Sequence, residues 1–345
     1  MMLSVYTLEQ SEQWDAVVHS FKEHDVYWLS GYVKAFQVHG DGEPLLFFYN
    51  DISVRGINVV MKRDIAYDAH FAEKIPAGQY FDFATPYGYG GWLIEGEKTD
   101  DLFAAYEKWC VEHNIISEFV RFHPVIKNHC AAETAYDVVS LGATIAMDTT
   151  SPEIIWENLT SKNRNMVRKA IKNGVCIYNG NFPEIYKRFR EIYNKTMDND
   201  EADKYYYFSE EFYDSILNDL STRAQVFWAE LNGEIIAASI MICANGYMNY
   251  HLSGSLREYQ CFAPTNLLLY KAALWGNSNG YKSLHLGGGV GSKEDSLYKF
   301  KSAFNRNETN RFCIGKKIFN EDDYLKLVSL RGADANSSFF PQYRG

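Results

Sequence analysis

The densest positive charge in the sequence lies in one predicted helix over residues 162–173. A spacing of four residues places Arg164, Arg168 and Lys172 on one face of this helix, and Lys162 begins it. Guanidinium and ammonium groups on one face can bind the phosphates of a nucleotide sugar, a lipid pyrophosphate or a tRNA acceptor end. A helix face that contacts only solvent is an equally open interpretation. On the functional interpretation, Lys162, Arg164 and Arg168 bind substrate.

A second group of reactive side chains lies in the stretch Asp-Phe-Ala-Thr-Pro-Tyr-Gly-Tyr-Gly-Gly, residues 82–91. Asp82 offers a carboxylate that can receive a proton from an acceptor amine or orient that amine. Tyr87 and Tyr89 add hydroxyl groups on a backbone that glycines make flexible. A turn that packs ordinary core tyrosines has the same composition, so both interpretations remain open.

Another glycine-rich run, residues 287–291, is followed by Ser292 and Lys293. It resembles a phosphate-binding loop but fails the required spacing, because neither serine nor threonine follows Lys293. We expect these glycines to let the chain turn tightly beside a ligand.

Metal chemistry is disfavoured by the arrangement of cysteine and histidine. The six cysteines are scattered and include no C-x-x-C pair, which is typical of reduced thiols in the cytosol. No two histidines have metal-ligand spacing, so we predict no metal site. His123, His251 and His285 each lie in a predicted strand, where histidine is more often a hydrogen-bonded core residue than a base.

Length and charge limit the class of protein. A chain of 345 residues is too long for one typical core and fits two domains. Its net charge of −10 repels polyanions, which excludes a DNA-binding protein and restricts any RNA contact to a local patch. The longest apolar run, Ile235–Ala244, is about half a membrane span, and the N-terminus lacks a signal peptide. We therefore predict a cytoplasmic protein without a membrane span.

The C-terminal half predicts the elements that position these residues. Two Asn-Gly pairs, at 232–233 and 245–246, separate three apolar runs, which predicts an antiparallel three-strand meander. A helix over 265–277, a short strand over 283–286 and a helix ending at Phe304 follow the meander.

The N-terminal half repeats this order as a hairpin, a strand, a glycine-rich loop, a helix and a strand. We therefore predict two copies of one α/β unit. The first domain is residues 1–145, completed by the tail 311–345, and the second is residues 146–310. The end of the tail, residues 333–338, is expected to be loose.

Meander, helix, strand and helix is the element order of the acyltransferase fold called GNAT, in which the fourth and fifth strands part around the acyl donor. Three segments of the sequence resemble the Fem family of peptidoglycan-bridge aminoacyltransferases and its GNAT-like relatives. They are PTNLLLYKAALWGNSNGYKSLHLGGG (264–289), DSLYKFKSAF (295–304) and SKNRNMVRKAIKNGV (161–175). The resemblance implies an α/β fold of tandem GNAT-like domains with mixed, mostly antiparallel sheets. Each sheet is expected to open at one seam.

The resemblance also assigns roles to residues. The pair Phe300-Lys301 matches one that lines the donor channel in the Fem family, where a lysine can stabilise the oxyanion of an attacked ester. A lysine on a helix surface is the alternative interpretation. His251 lies on the strand where GNAT donors bind, so it joins Lys301 and Asp82 as a catalytic candidate. The remaining candidates for substrate binding are Lys34, Tyr206 and Tyr250.

Three functions remain open. The resemblance favours transfer of an aminoacyl or acyl group, preferably from aminoacyl-tRNA, to an amine of a small-molecule or lipid-linked cell-envelope or sugar precursor. No tightly bound cofactor is expected, because positioning a reactive ester beside an amine can suffice. An acetyl-CoA-dependent N-acetyltransferase is the alternative, although residues 256–263 lack the glycines of a pyrophosphate loop. A non-catalytic binding protein is the third, because residues 196–200 lack the arginine often found there in the family.

Overall fold

The computed structural model describes residues 3–307, 309–332 and 339–345. The chain divides into two compact units, an N-terminal unit of Met1–Leu141 with Phe312–Gly345 and a C-terminal unit of Gly142–Arg311. Residues 333–338, which were expected to be loose, lie outside the described residues.

Both units combine β-strands with α-helices. In chain order the strands are β1 (Leu3–Tyr6), β2 (Glu43–Asn50), β3 (Val54–Asp64), β4 (Phe81–Ala84), β5 (Leu93–Gly96), β6 (Ile115–Arg121), β7 (Asp137–Asp148), β8 (Cys176–Gly180), β9 (Ala224–Leu231), β10 (Glu234–Ala244), β11 (Tyr247–Ser255), β12 (Ser283–Gly287) and β13 (Asn310–Ile318).

The α-helices lie mainly in the connections between strands. They are α1 (Ser11–His19), α2 (Ser30–His39), α3 (Asp100–Glu112), α4 (Pro152–Asn158), α5 (Ser161–Lys172), α6 (Pro183–Asn199), α7 (Glu210–Asp219), α8 (Pro264–Ser278), α9 (Ser296–Ser302) and α10 (Glu321–Arg331).

The N-terminal unit is built on the strand order β1-β2-β3-β4-β6-β13, with β5 paired to β3. The pair β4–β6 is parallel, and the other neighbours in this order are antiparallel. Phe47, Trp92 and Tyr106 form the centre of its aromatic core, which packs against α3.

The C-terminal unit has the strand order β8-β9-β10-β11-β12-β7. Again one pair, β11–β12, is parallel and the other neighbours are antiparallel. The apolar side of α8, with Leu268, Leu269 and Ala272 fully buried, completes the core. The prediction of tandem GNAT-like units with mixed, mostly antiparallel sheets is confirmed.

Local chemistry explains the predicted meander. Asn232-Gly233 and Asn245-Gly246 all have positive φ values between 46° and 84°, the conformation required by the two-residue turns of β-hairpins. The three strands of the meander are β9, β10 and β11, in the predicted antiparallel arrangement. Pro264 occupies the first turn of α8, where its missing N–H group leaves no hydrogen bond unmade.

The basic helix also forms where the sequence predicts it. Thr160 accepts a hydrogen bond from the Asn163 N–H group at 3.2 Å and so caps the start of α5. None of the helices in the described ranges combines the length and apolar character needed to cross a membrane.

Candidate functional site

The parallel strands of the C-terminal unit separate part-way along their length. β11 and β12 are paired at Tyr247↔Ser283, Met248↔Leu284 and Asn249↔His285, and the register ends there. β11 continues to Ser255 against β10, whereas β12 continues against β7. The seam predicted to open in this half of the chain is therefore open.

A β-bulge determines which side chains border this opening. Met241 is opposite Tyr250 but Ile240 is opposite Leu252, so His251 is the extra residue on β11. An extra residue reverses the alternation of side chains along the rest of a strand. Beyond the bulge, Gly254 therefore faces α6, where an added Cβ would lie 2.8 Å from the Tyr193 backbone.

The opening leads to a cavity of about 630 Å³, a volume within the range of small-molecule sites. Its walls come from the end of β11, the start of α8, the end of α6 and one side of α9. Side chains of both polar and aromatic character line it: Thr196, Tyr250, Ser253, Ser255, Asn266, Phe300 and Lys301.

Lys301 supplies the cavity with a buried positive charge. Its side chain is 9% exposed, and its Nζ donates a hydrogen bond to the Gly288 carbonyl at 2.8 Å. Burial lowers the pKa of this ammonium group to about 8, and the nearby Asp295 carboxylate offsets part of the effect. Asp295 is itself fixed, because it accepts hydrogen bonds from the N–H groups of Tyr298 and Val290 at 2.8 and 3.1 Å.

Gly287, at the end of β12, has φ +77° and lies beside the lysine, so that an added Cβ would be 3.3 Å from Nζ. A side chain here would both strain the backbone and crowd the ammonium group. The glycine-rich run thus allows a tight turn at the cavity, as expected.

Two hydrogen-bonded contacts hold the polar walls in place. The Thr196 hydroxyl at the end of α6 accepts from the Ser255 N–H group at 3.0 Å. Asn163 of α5, 1% exposed, donates to the Ala303 carbonyl at 3.2 Å and accepts from Asn266 at 2.7 Å. The basic helix is therefore tied to the cavity through a buried asparagine, not through its lysines and arginines.

Three of the predicted site residues, Tyr250, Phe300 and Lys301, line this one cavity. His251 does not line it. Burial lowers the pKa of the His251 imidazole to about 3, so that ring is neutral at neutral pH. A neutral ring with this low pKa is a poor base, so the role proposed for His251 is disfavoured.

Asp82 lies in the N-terminal unit, in a network of charges. Its carboxylate, fully buried, accepts from Arg63 Nε at 2.8 Å, from Arg344 Nε and Nη2 at 2.5 and 3.0 Å, and from the Tyr343 hydroxyl at 3.1 Å. Burial opposes the charge of Asp82, but the two guanidinium groups outweigh it and lower the pKa of the carboxyl group. A carboxylate held in this way is a weak base, so the role predicted for Asp82 is replaced by a structural one.

The predicted phosphate-binding face of α5 is only partly available. Arg164 Nη1 donates to the Leu159 carbonyl at 2.7 Å, which places its guanidinium at the end of α4 as a cap. Arg168 lies over the Trp156 ring, with its Cζ 5.1 Å from the ring centroid. Lys162 is exposed. The substrate-binding role proposed for Arg164 is thus disfavoured, because its donors are engaged with backbone.

The remaining candidates lie outside the cavity. In the N-terminal unit, Lys34 is exposed on α2, the Tyr87 carbonyl accepts a hydrogen bond from the Tyr32 hydroxyl, and the Tyr89 ring contacts Tyr27 edge-on. In the C-terminal unit, Tyr206 contacts Tyr205 edge-on. Their proposed binding roles remain predictions.

The seam of the N-terminal unit that corresponds to β11–β12 does not open. β4 and β6 are paired up to Ala84↔Phe119, and the Thr85 N–H group extends this pairing to the Phe119 carbonyl at 3.0 Å. Further on, Thr85 Oγ1 accepts from the Arg121 N–H group at 3.1 Å, and Gly90 donates to the Arg121 carbonyl at 2.8 Å. The expectation that both sheets open is therefore wrong for this unit, because backbone hydrogen bonds close the seam.

Within the described ranges, one group of three side chains, His129, Cys130 and Glu133, brings its potential metal-ligand atoms within 4.8 Å of one another. All three residues belong to the N-terminal unit, so the cavity beside Lys301 includes none of them.

Sequence reasoning missed the polar wall of the cavity. Ser253 and Ser255 follow the bulge, and a bulge leaves no reliable mark in a single sequence. In the sequence, Thr196 is marked only by the absence of the arginine that the family often has at residues 196–200. Asn266 could have been identified from the sequence. It lies in the first turn of the helix that begins at Pro264, so its side-chain amide is expected near the start of that helix.

The comparisons with known proteins agree with this geometry. Residues 161–301 match the family model described as an acetyltransferase (GNAT) domain. A search of curated proteins finds no match. The fold is similar to that of FemX, with a TM-score of 0.68 at 13% identity over 94% of this chain and 99% of that one.

Two further structures share the fold. One is the C-terminal domain of a putative lysylphosphatidylglycerol synthetase from Agrobacterium fabrum, with a TM-score of 0.57 at 15% identity over 92% of both chains. The other is L-PGS from Bacillus licheniformis, with a TM-score of 0.56 at 13% identity over 93% of this chain and 96% of that one. The resemblance to the Fem family and its GNAT-like relatives is thus confirmed at the level of fold, and the match to the GNAT domain model covers residues 161–301.

Proposed function

We propose that the protein transfers an aminoacyl group from an ester, with aminoacyl-tRNA as the preferred donor, to an amine of a cell-envelope or sugar precursor. The observation that carries the proposal is the open seam between β11 and β12, with the buried ammonium group of Lys301 at its edge. The resemblance of residues 161–175 and 264–304 to the Fem family of aminoacyltransferases supports the aminoacyl donor, and the similarity in fold to a putative lysylphosphatidylglycerol synthetase supports an acceptor of the cell envelope.

The proposed chemistry needs few groups. The acceptor amine attacks the ester carbonyl, a C–N bond forms and the C–O bond of the ester breaks. The leaving oxygen takes up the proton that the amine releases and becomes a hydroxyl group. Lys301 stabilises the negative oxygen formed during the attack, because a cation in a water-poor site acts more strongly than one in solvent. Tyr250 and Phe300 line the same space and position the acyl end.

The segment before α8 favours an ester of tRNA over acetyl-CoA. Arg257–Phe262 forms a short 3-10 helix without glycine. Ala263 then has φ +57° and Pro264 begins α8 without an N–H group. The N-terminus of α8 therefore offers fewer backbone N–H groups to a pyrophosphate than a glycine-rich loop would. A small-molecule or lipid-linked amine is the proposed acceptor, and no tightly bound cofactor is required.

A transfer assay with a mixed pool of aminoacylated tRNAs, compared with acetyl-CoA, tests the donor. We expect an aminoacyl group to appear on an amine acceptor only when the tRNA pool is supplied. Lys301→Ala should abolish most of this transfer, whereas Lys299→Ala, on the exposed part of the same helix, is the matched control.

Other results would contradict the proposal. Transfer from acetyl-CoA alone would make the protein an N-acetyltransferase, which is the alternative that the GNAT domain match supports. No transfer, together with no rise in melting temperature on adding aminoacyl-tRNA, CoA or a UDP-sugar precursor, would favour a non-catalytic binding protein.

A further inference from the structure

The connection between β6 and β7 in the N-terminal unit carries three side chains that can bind a metal ion. His129 and Cys130 belong to a short 3-10 turn, Asn128–Ala131, and Glu133 lies two residues after it. One potential ligand atom from each of the three residues lies within 4.8 Å of the other two. The group mixes imidazole, thiol and carboxylate, so neither a pair of histidines nor a C-x-x-C motif marks it in the sequence.

The distances in this group fit a tetrahedral ion of the size of zinc. Zinc binds histidine nitrogen at about 2.1 Å and thiolate sulfur at about 2.3 Å, which at a tetrahedral angle places the two ligand atoms roughly 3.6 Å apart. His129 Nε2 and Cys130 Sγ are 3.5 Å apart and share a hydrogen bond, so an ion between them takes the place of that hydrogen. The Glu133 carboxylate is exposed, and rotation of its side chain brings an oxygen to the third position.

The backbone that carries these side chains is held by buried hydrogen bonds. Asn128, 7% exposed, accepts from the His123 N–H group at 2.8 Å. It also donates to the carbonyl groups of Gly90 and Trp92 at 2.8 and 3.1 Å. Ala132, at the other end of the turn, is fully buried. Because the turn is fixed at both ends, its two ligands are held in place before an ion binds.

The three side chains are open to solvent and can take the protonation states that a metal ion requires. Cys130 is an exposed free thiol, Glu133 is exposed and His129 is half-buried, so an ion can reach them from solvent. Burial lowers the pKa of the His129 imidazole, and the Glu133 carboxylate offsets part of this effect. The ring is therefore neutral at neutral pH, and an ion has to displace only the thiol proton.

We propose that His129, Cys130 and Glu133 bind a zinc ion, with water as the fourth ligand. Imidazole and thiolate favour zinc over calcium and magnesium, which select oxygen ligands. On binding, a bond forms between Cys130 Sγ and the ion, and the thiol proton passes to solvent.

Titration of the untagged protein with cobalt chloride tests the site, because cobalt takes the place of zinc and reports its ligands in the absorption spectrum. We expect a sulfur-to-cobalt charge-transfer band and strong tetrahedral d–d bands that saturate at about one ion per chain and disappear when zinc chloride is added. Calorimetry of zinc binding at neutral pH, in two buffers of different ionisation enthalpy, should show the release of about one proton from the thiol.

Variants of the ligands and of matched cysteines locate the ion. Cys130→Ser and His129→Ala should each weaken zinc binding by more than about 100-fold, since changes even to residues behind a ligand cost about 10–100-fold. Glu133→Gln should weaken it by at least about ten-fold. Cys176→Ser and Cys261→Ser remove the two other exposed cysteines and should leave the affinity unchanged.

Several results would overturn the proposal. They are a charge-transfer band that persists in Cys130→Ser, a band that is lost in Cys176→Ser or Cys261→Ser, magnesium chloride binding as tightly as zinc chloride, and the absence of saturable zinc binding. Equal melting temperatures of the metal-free parent and of metal-free Cys130→Ser exclude loss of the fold as the cause of weaker binding. These outcomes are independent of transfer activity.

Discussion

The two units have the same strand order but differ at the parallel strand pair. β1-β2-β3-β4-β6-β13 corresponds strand for strand, and in every relative direction, to β8-β9-β10-β11-β12-β7. In the C-terminal unit the parallel pair parts after Asn249, and a cavity follows. In the N-terminal unit, hydrogen bonds from Thr85 and Gly90 continue across the pair and close it.

Buried charge differs in the same way. Asp82 of the N-terminal unit meets two guanidinium groups and a hydroxyl group. Lys301 of the C-terminal unit donates to a single carbonyl, and its pKa is lowered because burial outweighs the attraction of Asp295. An incompletely compensated buried charge lowers stability and is typical of functional sites. The N-terminal unit thus surrounds its buried charge with partners, and the C-terminal unit leaves its buried charge only partly compensated.

Removing Arg344 disrupts the charge network around Asp82 and should have the largest effect on the stability of the protein. Arg344→Ala leaves Asp82 with Arg63 as its one guanidinium partner. It also removes the hydrogen bond of 3.0 Å that Arg344 Nη1 donates to Asp68. Breaking a buried ion pair costs about 3–5 kcal/mol of unfolding free energy. Urea unfolding measures the loss. Lys108→Ala, which breaks an exposed pair at 3.9 Å, is the control and should change stability by less than about 0.5 kcal/mol.

The pH dependence of the parent follows from the same contacts. The pKa of Asp82 is lower in the folded protein than in the unfolded chain. Its contribution to the free energy of unfolding is therefore fully present above the pKa of the unfolded chain and is lost as the pH falls. Stability should therefore fall as the pH decreases below about 4, and Arg344→Ala should flatten this dependence. If the variant lost stability at low pH as steeply as the parent, the ion pair between Asp82 and Arg344 would not be the cause of that loss.

Lys301→Ala tests the reactive side. We expect transfer to fall about 10²–10³-fold, which is the range for removing one oxyanion donor. In the parent, transfer should also decline as the pH rises through about 8, where the ammonium group loses its proton. A pH–rate profile of parent and variant checks both expectations, and full activity of the variant would remove Lys301 from the site.

The same lysine should lower stability, in contrast to Arg344. Its pKa of about 8 lies below the unfolded value of 10.5, so at neutral pH the folded state carries a penalty that disappears as the pH rises between these values. A shift of this size corresponds to about 3 kcal/mol, and Lys301→Met should recover part of it. Urea unfolding at neutral pH gives the sign, and a less stable variant would contradict this view of the charge.

A smaller effect is expected where the basic helix meets the cavity. Asn163→Ala removes hydrogen bonds to Ala303 and Asn266 and should lower unfolding free energy by about 1–3 kcal/mol. Because Asn266 lines the cavity, the KM for the donor should rise more than kcat falls. Steady-state kinetics separates the two, and unchanged kinetics in a destabilised variant would limit Asn163 to stability.

The smallest effect on stability should come from Arg168→Glu. Arg168 is exposed, so we expect a change below about 0.5 kcal/mol. If α5 binds donor phosphates, the KM for tRNA should rise, more at low ionic strength than at physiological ionic strength. Lys108→Glu on α3 is the matched charge reversal. The same salt dependence in both variants would reduce α5 to a solvated face.

Elements whose causes lie within a few residues could be predicted from the sequence. The Asn-Gly pairs determine the hairpin turns of β9–β11, and Ser151 caps α4 by accepting from the Ile154 N–H group at 3.2 Å. Phe300 and Lys301 were found through the resemblance, and both line the cavity.

Features that depend on distant residues could not be predicted. The sequence shows the spacing of Arg164 and Arg168. It does not show that the Arg164 guanidinium would donate to the Leu159 carbonyl at the end of α4. Asp82 looked like a base because its partner Arg344 lies 262 residues away. The lowered pKa of Lys301 arises from burial, which only the folded chain creates.

The pairing of β13 with β6 affects how the protein is made. A ribosome completes β6 nearly two hundred residues before β13 (Ile314↔Arg121 is one of the paired positions). The N-terminal sheet therefore has an unprotected edge while the whole C-terminal unit is being synthesised, and exposed edges promote association with other chains. The C-terminal unit, being continuous, can fold during that interval, so nascent chains stalled just before β13 should be the form most dependent on chaperones.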